Sequence, residues 1–428
     1  MAEDRISQFP EDLILQILSL VPVKTAVSTS VLSKKWHSRW KSVAKLKFNS
    51  EDYQSEHQTF SETVHKSLLS YEPKVLESFH LSFGSDKADA VDVVHWIKTA
   101  FALNLRTLAL EFHIEPFELD EFVFTSCLCT CDTLETLELG SLILVDIPAP
   151  GSMKSLKKLH LIQALYTNDE SICNLLSSCP RLEELVVERS YEYTLKLFTI
   201  KVPSLQRLRI YDHNDDAEFI GYVIDVPSLK YLEIGGLRCP QFSLNAPELV
   251  EAYIGRVSNV ISESIVSVRR LVLNVSASET VYPPTGCIFY QLVYLQIYTH
   301  EPGWYDLLTW MLEHSPKLQV LRLVSIYRSD PDYEELGWEW IKPKCVPECL
   351  LSHLETFVWR RYDWKRENEE EVATYILKNA RGLKSATFST DPIEPDQLDK
   401  LKHRCRMRKK LDGVLKASKT CHLVFKFE

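Results

Sequence analysis

Glycine is scarce in this chain, 12 of 428 residues. A backbone cradle for phosphate needs clustered glycines, and neither Gly-x-Gly-x-x-Gly nor a phosphate-loop Gly-Lys-Ser/Thr occurs. His-Glu-x-x-His and Gly-x-Ser-x-Gly are missing too, so no catalytic residue is assigned and no enzyme is expected. No stretch of about 18 apolar residues runs free of charge, and the opening Met1-Ala2-Glu3-Asp4-Arg5 carries acids where an export signal needs a basic end. Export and membrane insertion are not expected. Basic residues are outnumbered, 49 Lys and Arg against 59 Asp and Glu, a net charge of −10. That argues against nucleic acid as the main ligand, because binding to phosphate is driven by counterion release to Lys and Arg. Eleven cysteines, an odd number at irregular spacing, read as reduced thiols in the cytoplasm and/or nucleus. No metal or other cofactor is expected. Cys127, Cys129 and Cys131 are spaced by single residues, where structural zinc prefers gaps of two to four. His113 or His160 would have to complete such a site, and the preferred reading is buried free thiols; Cys345 and Cys349, with three residues between them, are read as core.

What the chain does have is apolar content, 45% of residues, and repetition. The pattern apolar-x-x-apolar-x-apolar recurs thirteen times, beginning at Leu76, Leu105, Leu134, Leu156, Leu182, Leu205, Leu229, Leu249, Val268, Leu292, Leu318, Leu354 and Leu383. Successive starts lie 19 to 36 residues apart, mostly within the leucine-rich-repeat period. Three specified positions fall apolar by chance in roughly a tenth of registers at average composition. Chance does not supply the punctuation: Pro180, Pro203, Pro227, Pro247 and Pro316 each stand two residues before an anchor, where proline ends one element and stiffens entry to the next. The two apolar residues spaced by two point to one face of a short strand, so the expected fold is α/β, a solenoid of parallel strands. Residues 172–179 and 307–314 carry apolar residues three and four apart and read as helical returns. The units of 19 to 24 residues around 205 to 291 leave room only for a strand and an extended or tight-turn return. Position nine, which in many leucine-rich repeats holds a buried Asn, is His113, Leu142, Ala164 or Ser276, so no Asn ladder is expected.

The first fifty residues break the repeat and read as three short helices. Pro10 suits a first helical turn, Glu11 and Asp12 suit its positive end, and Leu13, Ile14, Ile17, Leu18 and Val21 make an apolar stripe ended by Pro22. Thr25 is the expected cap of a second helix, and Ser33 of a third that carries Trp36, Trp40 and Val43. About 45 residues offer too little interior for all these side chains, so the surplus wants a partner.

The run from Ile6 to Trp40, with Phe9-Pro10-Glu11-Asp12-Leu13 at its head and Val31-Leu32-Ser33-Lys34-Lys35-Trp36 near its end, resembles an F-box. The family usually begins Leu-Pro, and Phe9 keeps an apolar anchor there. The resemblance implies docking on a Skp-type adaptor of a cullin-RING (SCF) ubiquitin ligase through Phe9, Pro10, Leu13, Ile17, Leu18, Pro22, Val27, Val31, Leu32 and Trp36. Cys345 to Trp359, 369–381 and Thr420 to Phe425 resemble the FBD region of plant F-box proteins with leucine-rich repeats. There, 369–381 reads as an amphipathic helix with Val372, Ile376 and Leu377 inward, and Leu383 to Phe388 as a further strand. The expected domains are an F-box at 1–54, a leucine-rich-repeat solenoid at 55–340, and an FBD region at 341–428 that closes it.

Residues that alternate with the buried ones face the expected concave surface. Arg209, Tyr211, Gln296, Tyr298 and Arg322 have the aromatic and Arg character enriched at interface hot spots, and are the candidate substrate-binding set. The last 33 residues carry ten Lys or Arg and four Asp or Glu. They read as the solvated face of a helix with Leu398, Leu401, Leu411 and Leu415 inward. The function implied is a non-catalytic receptor that holds a protein substrate near a ubiquitin-charged enzyme. The alternative is a scaffold or small-ligand sensor whose N-terminal helices only cap the solenoid.

Overall fold

The computed structural model describes residues 9–34, 36–53, 59–72, 75–84, 90–112, 122–141, 143–190, 195–213, 218–237, 239–255, 263–274, 287–299, 304–325, 340–362, 367–390 and 398–427. Ile6 to Gln8, Lys35, His113, Leu142 and Ser276, and the side chains of Leu398 and Leu401, lie outside the described residues. The chain divides into two compact units, Met1–Ser228 and Leu229–Glu428.

In the first unit seven strands form a parallel ladder: Lys45–Asn49, Ser78–Phe83, Thr107–Phe112, Thr136–Gly140, Lys158–Ile162, Glu184–Arg189 and Arg207–Asp212. Register carries the repeat from strand to strand, with Leu108 beside Leu137, Leu137 beside Leu159, Leu159 beside Leu185 and Leu185 beside Leu208. These leucines and their anchors, Leu105 to Leu205, are fully buried. Each such side chain contributes about 1.5–3 kcal/mol by leaving water, so the ladder is held by its apolar columns. The returns are short strands, Val123–Thr125, Leu144–Asp146, Leu165–Tyr166, Leu197–Ile200 and Gly221–Asp225, with the helices Phe60–Leu69, Ala90–Ala102 and Asp169–Ser177. Phe124, Val145, Tyr166, Phe198 and Tyr222 project from the short strands into the same core.

In the second unit eight strands form a parallel ladder: Tyr231–Gly235, Glu251–Gly255, Arg270–Asn274, Tyr294–Tyr298, Val320–Val324, Thr356–Arg360, Ser385–Thr390 and His422–Phe427; Gln241–Asn245 is a short return strand. Every neighbouring pair is parallel. Helices Trp304–His314, Glu348–Ser352 and Glu367–Asn379 return the chain, and Val372, Ile376 and Leu377 are buried as the amphipathic pattern requires. Thr356–Arg360, Ser385–Thr390 and His422–Phe427 carry the ladder on, with Phe388 edge-on to Phe357 at 5.6 Å and stacked on Phe425 at 5.9 Å.

All thirteen repeats become strands, and the structure adds one at each end. Lys45–Asn49 falls within the first fifty residues, where only helices were expected. Val43, Leu46 and Phe48 repeat the pattern, and the alternating Lys-Leu-Lys-Phe favours an extended chain. The expected third helix is correspondingly reduced to a single 3-10 turn, Arg39–Ser42. The second helix, Val23–Ser28, starts at Pro22, so Thr25 lies inside it and caps nothing. At the far end the helix Leu398–Asp412 stops before Gly413. Leu411 is buried, but Leu415 lies beyond the helix and is exposed, contrary to the inward position read from its spacing.

No Asn side chain is needed where strands end. Ser141, Gln163 and Gly236 adopt positive φ immediately after their strands, and their N–H groups donate to the carbonyls of Ile162, Glu188 and Gly255 on the following strand. The turn amides are satisfied by backbone, the requirement that a buried Asn otherwise meets.

Candidate functional site

The helix Glu11–Leu18 begins after Pro10, with Glu11 and Asp12 in its positive first turn. The almost buried Arg39 reaches back to it, donating from Nε and Nη2 to the two Glu11 carboxylate oxygens at 2.8 Å each. Its guanidinium lies 4.7 Å from the Trp36 ring centroid. This two-pronged pair, partly shielded from water, fixes the helix against the turn that follows. Ile14, Leu18, Val23, Ala26, Trp36 and Val43 fill the space beneath. Lys24 joins the motif to the ladder: its ammonium donates to the Asp52 carbonyl and sits 5.3 Å over the Tyr53 ring. Burial, and next the Asp52 charge, push the Tyr53 phenol up to about 12.

The other side of the same helices is apolar and open. Leu13 is 45% exposed, Ile17 49%, Leu20 80%, Val31 86% and Leu32 65%, with Phe9 half-exposed beside them. Monomeric soluble proteins leave large side chains in a contiguous exposed patch chiefly where something binds. Ten residues were named from sequence as the docking set, and the structure sorts them. Phe9, Pro10, Leu13, Ile17, Val31 and Leu32 are exposed, and Pro22 and Val27 are half-buried. Leu18 and Trp36 are buried in the chain's own interior, so in this form they support the patch from behind. Leu20, beyond the end of the helix, was not among the ten and is one of the most exposed.

The candidate substrate residues fall in both units. In the first, Arg209 and Tyr211 share the strand Arg207–Asp212, beside Val186 and Glu188 in register, and Arg209 Nη1 lies 3.5 Å from Glu184 Oε1. Tyr211 joins Gln163, Glu188, Arg189, Ser190 and His213 in lining an open depression of about 410 Å³. Below it is a buried polar group invisible to the repeat pattern: Arg189 Nη1 donates to Asp212 Oδ2 at 3.1 Å and to Tyr222 Oη at 3.2 Å, and Tyr222 donates in turn to Asp212. Phe219 stacks at 4.2 Å on the guanidinium, and burial drives the Tyr222 phenol well above its ordinary value. In the second unit Gln296 and Arg322 are register partners, with Tyr298 two residues on and facing the same way.

Of the other groups weighed from sequence, all eleven cysteines are free thiols. Cys129, Cys131 and Cys349 are buried, whereas Cys127 and Cys345, read from sequence as buried and as core, are exposed; burial pushes the Cys129 thiol up to about 12. Among the described residues no three His, Cys, Asp or Glu converge as a metal site, and no helix is long and apolar enough to cross a membrane.

A helical N-terminal motif with an open apolar face, joined to ladders of parallel strands at leucine-rich spacing, defines a repeat protein that carries its own docking module. Known families identify the module and the repeats. The F-box domain matches residues 6–48, the LRR repeats described for FBD-associated F-box protein At5g56370 match 93–249, and FBD matches 342–388. The chain is 55% identical to F-box/FBD/LRR-repeat protein At3g52680 of Arabidopsis thaliana, with 100% of this chain and 94% of the relative covered. It is 54% identical to F-box/FBD/LRR-repeat protein At4g00160 of the same plant, covering 100% and 95%. FBD-associated F-box protein At3g52670 is 51% identical over 100% and 98%. The chain belongs to the F-box/FBD/LRR-repeat family.

Proposed function

We propose that this chain is the substrate-recognition subunit of an SCF-type E3 ubiquitin ligase. It docks on a Skp-type adaptor, and through it on a cullin-RING ligase, by the exposed apolar face of the F-box helices, and it presents a target protein held on its strand faces. The observation that carries the reading is the contrast within one helix: Ile14 and Leu18 hold the motif together while Leu13 and Ile17, one residue before each, stand in solvent. The role is non-catalytic. Holding a substrate lysine beside a ubiquitin thioester raises its effective concentration and needs orientation from this chain, with no bond made or broken by it. The free thiols support the cytoplasm and/or nucleus as its location.

The test is binding of the purified chain to a panel of Skp-type adaptors by calorimetry. Leu13→Asp with Ile17→Asp is expected to lower affinity by about a hundredfold or more, with unchanged circular dichroism, because central apolar anchors dominate such interfaces. A folded wild-type chain that binds no adaptor, or a double variant that binds as well as wild type, overturns the assignment.

A further inference from the structure

Carboxylates are unevenly spread over the outward positions of the ladders. In the first unit these positions carry four glutamates, three of them with a basic side chain nearby: Glu111 with His80 at 3.4 Å, Glu138 with His160 at 3.4 Å, and Glu184 with Arg209 at 3.5 Å and Lys158 at 3.7 Å; Glu188 is the fourth. In the second unit Glu233 and Glu251 stand on the first two ladder strands.

In the second unit six strands in succession, from Arg270–Asn274 to His422–Phe427, place no Asp or Glu at any of the seventeen solvent-reaching positions that alternate with the buried ones. The chain's average acid content would put about two there, in a protein of net charge −10. Four cations do occupy such positions, Arg270, Arg322, Arg360 and Lys426. Arg270 is committed to Glu251 at 3.5 Å and lies 4.0 Å over the Tyr294 ring. Arg322 is different. It makes no ion pair with any described residue, and its Nε, shielded from solvent, has no hydrogen-bond partner among them. Around it stand neutral polar groups, Gln296 in register and Tyr298 diagonally across, with Tyr294 donating to Gln296 Oε1 at 3.0 Å. Burial foremost raises the Tyr298 phenol above its ordinary 10, and a side-chain hydrogen bond ties it to Gln296.

We infer that the strand face of the second unit, centred on Arg322 with Gln296, Tyr298 and Arg360, is a docking surface for an acidic peptide segment of the protein that this receptor captures. An Arg without a carboxylate partner among the described residues, beside neutral polar groups on six strands whose described outward positions carry no acid, complements Asp or Glu side chains and repels a basic segment. The inference rests on the receptor role proposed above and narrows it to a substrate class and to one of the two units.

The experiment is a selection of random dodecapeptides displayed on phage against the immobilised full-length chain, followed by affinity measurements on the enriched peptides. Enrichment of net-negative peptides is expected, with binding that weakens as salt rises. Arg322→Glu is expected to weaken them by about tenfold or more, Arg322→Gln by less, and Lys98→Glu, at an exposed position of the helix Ala90–Ala102 in the first unit, by less than about twofold. Circular dichroism and thermal melting check that each variant is folded. Enrichment of neutral or basic peptides, no enrichment at all, equal losses in Lys98→Glu and Arg322→Glu, or displacement of the peptides by single-stranded RNA at lower concentration than by free acidic peptide each overturn the inference. Adaptor binding, measured on the same variants, is expected to be unchanged by Arg322→Glu. A chain that binds no adaptor but selects acidic peptides removes the ligase reading and leaves this face standing; the reverse result does the opposite.

Discussion

At the residue scale the informative positions are polar groups in apolar columns. Arg189 and Asp212 occupy inward positions, two residues beyond Val187 and Ile210, and are register partners on neighbouring strands. A buried pair of this kind is expensive to break from one side, because the remaining charge has lost both water and partner. Asp212→Ala is expected to cost about 3–5 kcal/mol in urea denaturation, while Arg189→Met with Asp212→Leu costs much less. Equal losses in the two proteins would refute that account. The pair was legible in principle: an Arg and an Asp continue the buried alternation at matching places in adjacent repeats. The apolar-x-x-apolar-x-apolar pattern ends at Val187 and Ile210 and so does not reach them. The face histidines give a pH dependence. Burial foremost holds the His80 imidazole below its ordinary value of 6.5, partly offset by Glu111, so folding favours the neutral ring. Its contribution is fully present above the unfolded value and is lost as pH falls through it toward the folded one. A hydrogen bond with His160, the leading cause, holds the Glu138 carboxyl below its ordinary 4.5, so its contribution too is present above that value and lost as pH falls further. The urea midpoint is therefore expected to fall from pH 7.5 to pH 5. His80→Gln should remove part of the drop, and an unchanged profile in that variant would show the imidazole to be uninvolved.

At the element scale, the thirteen repeats were readable because a strand needs only period-two alternation and an anchor. The fourteenth, Val43-Leu46-Phe48, carried the same signal but followed helical sequence. The last, Leu423 and Phe425, has the polar Thr420 in the anchor position and escapes the pattern. The F-box helix shows what periodicity leaves open. Leu13, Ile14, Ile17 and Leu18 read as one stripe, yet Ile14 and Leu18 face in and Leu13 and Ile17 face out, because the apolar arc is wide enough to serve two surfaces. Separating them requires knowing what lies behind the helix, here Trp36 and the Arg39–Glu11 pair, and that is tertiary information. The split predicts different outcomes for equal truncations. Leu18→Ala is expected to destabilise by about 2–5 kcal/mol, and Leu20→Ala, on the exposed side, by less than about 0.5 kcal/mol. Thermal melting of the two variants checks this, and comparable losses would mean that the patch is covered within the chain itself.

At the scale of the whole molecule, fold class and thirteen of the fifteen ladder strands follow from sequence because every repeat solves the same problem, burying one face against its neighbours. A strand with two neighbours is locked on both edges, whereas among the described residues Lys45–Asn49 in the first unit and His422–Phe427 in the second each pair on one side. Amide hydrogen exchange is expected to be slowest in Thr136–Gly140 and Val320–Val324 and about tenfold or more faster in those two terminal strands. Uniform protection would point to unfolding in larger blocks. The candidate substrate faces were less legible than the ladders. Alternation shows which residues face outward, but that Arg322 makes no ion pair with any described residue appears only once neighbouring strands are set in register.

The parallel register also bears on how the protein is made. In both units each ladder strand described above takes as its partner the strand of the preceding repeat, and synthesis adds about 5–20 residues per second. A repeat of some two dozen residues thus leaves the ribosome every few seconds, far more slowly than a short strand docks. Within each unit the nascent ladder lengthens one rung at a time behind a single open edge. The F-box precedes both ladders in the chain, so on the function proposed above it can meet an adaptor while the candidate substrate surface is still being translated.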